Sequence, residues 1–151
     1  MSFVDRVVVD VTAGDGGDGA SSFARFKYRP KGGPDGGDGG NGGSIYVRAD
    51  ANLATLLDYQ YQGAWKADRG VHGKGKTKTG ASAPDIILPV PPGTVIDDEQ
   101  TGQRVAELLH AGDQALVVRG GRGGRGNARF TSATHQAPRE WEEGGKGEQR
   151  R

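Results

Sequence analysis

Lys31-Gly32-Gly33-Pro34-Asp35-Gly36-Gly37-Asp38-Gly39-Gly40-Asn41-Gly42-Gly43 sets polar residues at 35, 38 and 41 with two glycines after each, a repeat of three residues. Arg119-Gly120-Gly121-Arg122-Gly123-Gly124-Arg125 carries the same repeat with arginine in the polar slot. Polyproline II has three residues per turn, so each polar side chain of such a tract lies on one edge and the other two edges are bare backbone. Gly36, Gly37, Gly39, Gly40, Gly120, Gly121, Gly123 and Gly124 are therefore read as structural rod glycines. A lone rod keeps its amides in water, whereas bundled rods can pair N–H with C=O across a gap that no Cβ occupies. At about 3.1 Å per residue, residues 31–43 would extend roughly 40 Å, a protruding rod.

Working outward, 24 of the 28 glycines fall in five tracts, at about 13–19, 31–43, 70–80, 119–127 and 144–147. The alternative reading is a set of flexible linkers, since glycine loses the most backbone entropy on ordering. No single tract offsets that cost. Several tracts anchored at both ends by a β core and bonded to one another can, and the scarcity of serine is unlike a linker. Strand character punctuates the gaps: Val7, Val9 and Val11 alternate with Val8 and Asp10, as do Ile45 and Val47 with Tyr46 and Arg48. Further strands are expected at Ile86 to Val90, Thr94 to Asp97, Arg104 to Leu108 and Ala115 to Arg119, with turns at Pro91-Pro92-Gly93, Gln100-Thr101-Gly102 and Ala111-Gly112-Asp113. Pro89 restricts its strand to an edge or a bulge. Only Asn52 to Asp58 reads as a short helix, with Asn52 as its cap. The chain is thus predicted to be one mainly β unit over 1–151, with rods at about 13–43, 70–80, 119–127 and 144–147 interleaved with a small barrel or sandwich and little helix.

There is no cysteine, which excludes disulfides and thiolate metal sites and is compatible with a reducing cytoplasm. No apolar run approaches membrane-spanning length, and Asp5, Arg6 and Asp10 interrupt the N-terminal valines, so a soluble, cytoplasmic protein is expected. The net charge is only +1, but 13 of the 20 Lys and Arg lie in windows 25–31, 66–78 and 119–129, which contain a single acid, Asp68. Acids gather at Asp97 to Glu99 and at Glu140, Glu142 and Glu143, so a basic end and an acidic end are expected.

Gly70-Val71-His72-Gly73-Lys74-Gly75-Lys76-Thr77 spells the P-loop pattern, yet a working P-loop needs a buried strand before it and a helix after it. Lys78 to Pro84, with Gly80 and Pro84, cannot sustain a helix. The dinucleotide-like spellings at Gly14 to Gly19 and Gly121 to Gly126 lack the strand–helix–strand unit that such a site requires. No catalytic constellation and no metal set is visible: His72, His110 and His135 are scattered, and Asp15, Asp18, Asp35 and Asp38 lack calcium-loop spacing. Glu142 and Glu143 read as a solvated acidic edge.

Arg119, Arg122 and Arg125 have two readings, RNA phosphate or internal pairing with Asp15, Asp18, Asp35 or Asp38, of which the internal one is preferred. Arg25, Lys27, Arg29 and Lys31 around Tyr28, and Lys74, Lys76 and Lys78, have almost no acids nearby and are the first phosphate-contact candidates, with Arg129 and Arg139 behind them. Phe23, Phe26 and Tyr28 offer stacking surfaces or core.

Phe23 to Tyr28 through Pro30 to Gly40, then Arg119 to Phe130 and Ala137-Pro138-Arg139, resemble the N-terminal domain of the Obg/CgtA GTPases, over Phe3 to about Glu148. The resemblance implies a bundle of glycine-rich polyproline II rods beside a small eight-stranded β-barrel. It further implies a role in late assembly of the large ribosomal subunit and in stringent-response signalling, with the rod tips facing ribosomal RNA near the peptidyl-transferase region. GTP, GDP and Mg2+ are implied for a GTPase domain beyond these residues, and no cofactor, catalysis or membrane contact for these residues, which are expected to be monomeric. Ala24 and Phe26 depart from the basic and acidic residues that the family commonly shows there, so contacts are not carried over to them. Two other classes stand beside this reading: a disordered glycine/arginine RNA chaperone, and a P-loop enzyme using residues 70–77.

Overall fold

The structure, a computed structural model, describes residues 4–23, 33–130 and 141–151. Among the described residues eight short strands form the base: β1 (Asp10–Thr12), β2 (Ile45–Ala49), β3 (Ala64–Lys66), β4 (Ile86–Val90), β5 (Thr94–Asp97), β6 (Arg104–Leu108), β7 (Gln114–Val118) and β8 (Gln149–Arg150). They lie in three ladders, β3-β1-β8, β4-β2-β7 and β5-β6. The chain is mainly strand with little helix, but no ladder closes into a barrel among the described residues. Val11, Ile45, Val47, Leu88, Val90, Leu108, Val117 and Val118 pack into one core, with Ile45 and Val118 fully buried.

Strand periodicity located β4, β5 and β6 at their observed bounds and β2 to within one residue, since it runs on to Ala49. Pro89 sits where a missing donor is tolerated, because β4 is the edge of its ladder. The edge is partly covered: the buried Tyr59 donates its hydroxyl to the Pro89 carbonyl, and its ring tilts against Trp65 with centroids 6.1 Å apart. Burial, with Asp58 beside it, pushes the Tyr59 hydroxyl up to about 12. Gly93, Gly102 and Gly112 all have positive φ, as the three expected turns require.

Three expectations need correction. The valine run alternates in burial from Val7 to Val11, but only Asp10 to Thr12 enters a ladder. The helix is Leu57–Tyr61 rather than 52–58: Asp50 accepts the Asn52 amide in a turn, and the Thr55 hydroxyl is spent on the Val4 main chain, so neither residue caps a helix. β7 starts and ends one residue early, because the Arg119 amide already belongs to the rods and donates to Glu148 Oε1. β3 was not foreseen in the polar stretch before Arg69; it is held parallel to β1 by register Asp10 to Ala64.

β8 ties the ladders together. Arg150 donates to the Val117 carbonyl and to Asp98 Oδ2, while Asp98 Oδ1 accepts the amides of Gln100 and Thr101. The Thr101 amide first, and the Arg150 guanidinium with the Gln100 amide after it, hold the Asp98 carboxyl below the usual range against its own desolvation. A depressed carboxyl stabilises the fold at every pH above its unfolded value, about 3.9, and loses that contribution as pH falls through the folded value. Urea melts across the acid range are therefore expected to lose stability below about pH 4, with Asp98→Asn flattening that limb. An identical acid limb in the variant would remove Asp98 from the account.

Among the described residues the glycine tracts form six rods. Rod 1 (13–20), rod 3 (67–74) and rod 5 (119–127) run away from the base; rod 2 (35–43), rod 4 (77–84) and rod 6 (142–148) return. The amides of Gly14, Gly17 and Ala20 donate to the carbonyls of Gly43, Gly40 and Gly37, and those of Ala13, Gly16 and Gly19 to Glu148, Gly145 and Glu142. Gly121, Gly124 and Asn127 donate back to Gly14, Gly17 and Ala20. Every ladder advances by three residues, the repeat of polyproline II. The partners define three layers of two rods, rods 3 and 4 over rods 1 and 2 over rods 6 and 5, so rods 1 and 2 are each bonded to four others. The expected 70–80 tract is thus not one rod but parts of two, folded back between them.

Candidate nucleic-acid interface

The far end of the bundle is where rods 1, 3 and 5 stop and rods 2, 4 and 6 begin. It comprises residues 20–23, 33–35, 74–78 and 127–130 and Trp141, which is 45% exposed. Lys74 and Lys78 face each other in an antiparallel bridge, with Lys76 and Thr77 at the turn in left-handed conformation, φ 61° and 54°. Lys74, Lys76 and Lys78 are all exposed, and no carboxylate pairs with them among the described residues.

The remaining candidate cations fare differently. Arg129 is bound to Asp38, Nε to Oδ2 at 2.5 Å. Arg25, Lys27, Arg29, Lys31 and Arg139 lie outside the described residues, as do Phe26 and Tyr28.

Of the arginine stripe, Arg125 alone makes an internal side-chain ion pair among the described residues, and with Glu142 rather than with the aspartates named for it. Rods 5 and 6 run antiparallel so that Arg125 faces Glu142, Arg122 faces Gly145 and Arg119 faces Glu148. Arg125 and Glu142 meet Nε to Oε1 at 2.7 Å, and each holds the other's charge: Arg125 is raised, chiefly by its hydrogen bond to Glu142, and Glu142 is lowered, chiefly by its bond from Arg125. Arg122 meets a glycine and is exposed. The open hollow around it is lined by Arg122, Arg125, Glu142 and Glu143, whose formal charges cancel, so it offers no selectivity for phosphate.

The aspartates serve the backbone. Asp15, Asp18 and Asp38 accept the amides of Gly147, Gly144 and Gly126, the third-edge donors that no rod carbonyl reaches. Asn41 and Ser44 continue the series on Gly123 and Gly120. Asn127, fully buried, does the same from a glycine slot: its Oδ1 accepts the Gly36 amide and its Nδ2 donates to the Ser22 carbonyl. Sequence reasoning missed Asn127, although its place where the Gly-Gly repeat of rod 5 ends was a usable signal. The stacking of Arg125 over Phe130, 5.1 Å to the ring centroid, had none.

The P-loop spelling carries no free amide cradle. The Gly70 and Gly73 amides donate to the Asp15 and Asp18 carbonyls, and the residues after Thr77 form rod 4 rather than a helix. Among the described residues no group of three metal-ligating side chains is present, and no helix is long and apolar enough to cross a membrane.

These features define a class: a domain of hydrogen-bonded glycine rods mounted on a small β base, with exposed lysines at the far end that form no ion pair among the described residues. The chain belongs to the GTP1/OBG family, whose model matches residues 4–151. It is 55% identical over 148 residues to a GTPase Obg of Chloroherpeton thalassium, covering 98% of this chain and 44% of that protein. To the GTPase Obg of Prosthecochloris aestuarii it is 53% identical, over 99% of this chain and 46% of the relative, and to that of Moorella thermoacetica 52%, over 98% and 35%. The chain therefore spans less than half the length of these relatives.

Proposed function

We propose that this domain docks a GTPase of the OBG family onto the large ribosomal subunit during its late assembly, in the cytoplasm, with the rod tip against ribosomal RNA near the peptidyl-transferase region. GTP, GDP and Mg2+ act in the part of the protein beyond the region matched here, where nucleotide state and stringent-response signals set the timing. The domain itself contributes reach and charge. The observation that carries this reading is the turn at 74–78, which leaves three lysines exposed and in no ion pair among the described residues at the end of a hydrogen-bonded bundle. RNA phosphates favour such a site because each contact releases condensed counterions.

Co-sedimentation of the chain with purified large and small subunits across a salt series tests it. Binding is expected to the large subunit alone and to weaken with salt. Replacing Lys74, Lys76 and Lys78 by Glu should lower the slope of log affinity against log salt by about 2 to 3, since each lost phosphate contact removes roughly 0.7 to 0.9. Equal binding to both subunits, or an unaltered slope in the variant, removes the lysine turn from the interface.

A further inference from the structure

We infer that Asp35 is the positioning residue of the lysine turn: it holds Lys76 and Thr77 in their left-handed conformation while leaving the lysine charges unneutralised. The inference rests on the docking role proposed for that turn. Left-handed φ is rare outside glycine and is unfavourable above all for a β-branched residue such as Thr77, so two consecutive instances need an external hold. Within the turn, the Thr77 hydroxyl bonds only its neighbour's carbonyl, and the Lys78 amide reaches Gly75 at a long 3.4 Å.

The hold comes from rod 2. The Lys76 amide donates to Asp35 Oδ2 at 2.9 Å, and the Thr77 amide donates to the Asp35 main-chain carbonyl at 2.6 Å. Both left-handed residues are thus fixed by one residue, once through its side chain and once through its backbone. Asp35 is itself fixed, its amide donating to the Ser22 carbonyl at 2.9 Å. Gly75 completes the fit, because a Cβ there would lie 2.7 Å from Ser22 Oγ.

The charge arrangement sets Asp35 apart from Asp15, Asp18 and Asp38. Asp15 pairs with Lys146, Asp18 with Arg69 and Asp38 with Arg129. Asp35 makes no ion pair among the described residues, although it stands against a turn with three lysines, and its Oδ1 is buried without a partner. Its carboxylate is spent on an amide, which fixes the backbone from which the ammonium groups project.

Asp35→Ala and Asp35→Asn separate geometry from charge. Backbone amide exchange by NMR reads the turn, and large-subunit co-sedimentation in the salt series above reads docking. In Asp35→Ala the Lys76 amide should exchange at least about tenfold faster while Gly39 and Gly42 keep their protection, and binding should fall about tenfold with all three lysines present. Asn keeps an oxygen acceptor and removes a negative charge, so Asp35→Asn should protect Lys76 as the parent does and bind at least as tightly. Unchanged Lys76 exchange in Asp35→Ala overturns the hold. Undiminished binding despite a loosened turn overturns the positioning role, and so does weak binding of Asp35→Asn with a protected turn. If Asp35→Ala loses protection throughout the rods, the Asn variant decides: faster Lys76 exchange or weaker binding in it refutes the inference. A parent chain that binds no large subunit sinks the docking role, while the exchange data still judge the hold on its own.

Discussion

Alanine at Gly39 or Gly123 is expected to unfold the domain, while alanine at Gly33 or Gly63 leaves it folded. A Cβ built on Gly39 would lie 1.9 Å from the Gly17 carbonyl oxygen, and one on Gly123 1.9 Å from that of Gly39. Neither obstacle is a side chain that swings away. Both are backbone, held in place by ladder bonds such as Gly17 to Gly40 and Gly39 to Gly124, at 2.8 Å each. Relief would need neighbouring rods to part by more than an ångström, which stretches every bond of a ladder that repeats each third residue. Such overpacking belongs with the exceptional substitutions above about 4 kcal/mol, against a total stability of roughly 5 to 15 kcal/mol for a domain. A Cβ on Gly33 meets nothing within 4 Å, and one on Gly63 only the Val8 carbonyl at 3.9 Å. Alanine there should be neutral or stabilising by about 0.4 to 1 kcal/mol through the unfolded chain. Thermal melts of the four variants decide. A Gly39→Ala protein that melts with the parent would mean that the rods are not packed this closely.

The second large effect is expected at Asn127. It is completely buried, its amide donating to Ala20 while its side chain accepts from Gly36 and donates to the Ser22 carbonyl. Asn127→Leu keeps the branched shape but strands the buried Gly36 donor, at about 1 to 3 kcal/mol, and takes from the Ser22 carbonyl one donor while leaving it the Asp35 amide. Asn127→Asp keeps an acceptor for Gly36 and leaves the Ser22 carbonyl its bond from the Asp35 amide, but it buries a charge that protonation removes. Denaturant melts should therefore rank parent above both variants. The deficit of Asn127→Asp, measured against the parent at each pH, should shrink on acidification. A deficit that does not depend on pH would mean that position 127 is open to water.

The base and the tip were legible to different degrees. β2, β4, β5 and β6 could be read because period-two alternation and Pro/Gly turns are local signals, and Pro89 even foretold its edge position. β3 could not, because three residues around Trp65 acquire strand geometry only by lying along β1. The helix was displaced for a similar reason: its apparent cap, Asn52, is drawn into a turn by Asp50, and Thr55 is drawn to Val4. At the tip, the lysines of 74–78 stood out by charge alone. The residue that orders them, Asp35, is 41 positions away from Lys76 and looks like any other aspartate of the X-Gly-Gly repeat.

By itself the sequence determined that the tracts at 31–43 and 119–125 repeat every three residues, that their polar residues share one edge of any rod so built, and which cations have few acids near them in the chain, while flexible linkers stayed open as the alternative. All of this follows from backbone geometry and residue order. Only the tertiary structure decided which rods are neighbours, that the 70–80 tract folds back on itself, and that Arg125 meets Glu142 whereas Arg122 meets Gly145. The physical reason is that bare polyproline II edges are alike: any glycine rod offers the same N–H and C=O every third residue, so the repeat carries no address. The address comes from where the strands of the base release each rod and in which direction, and that is fixed by packing of the core.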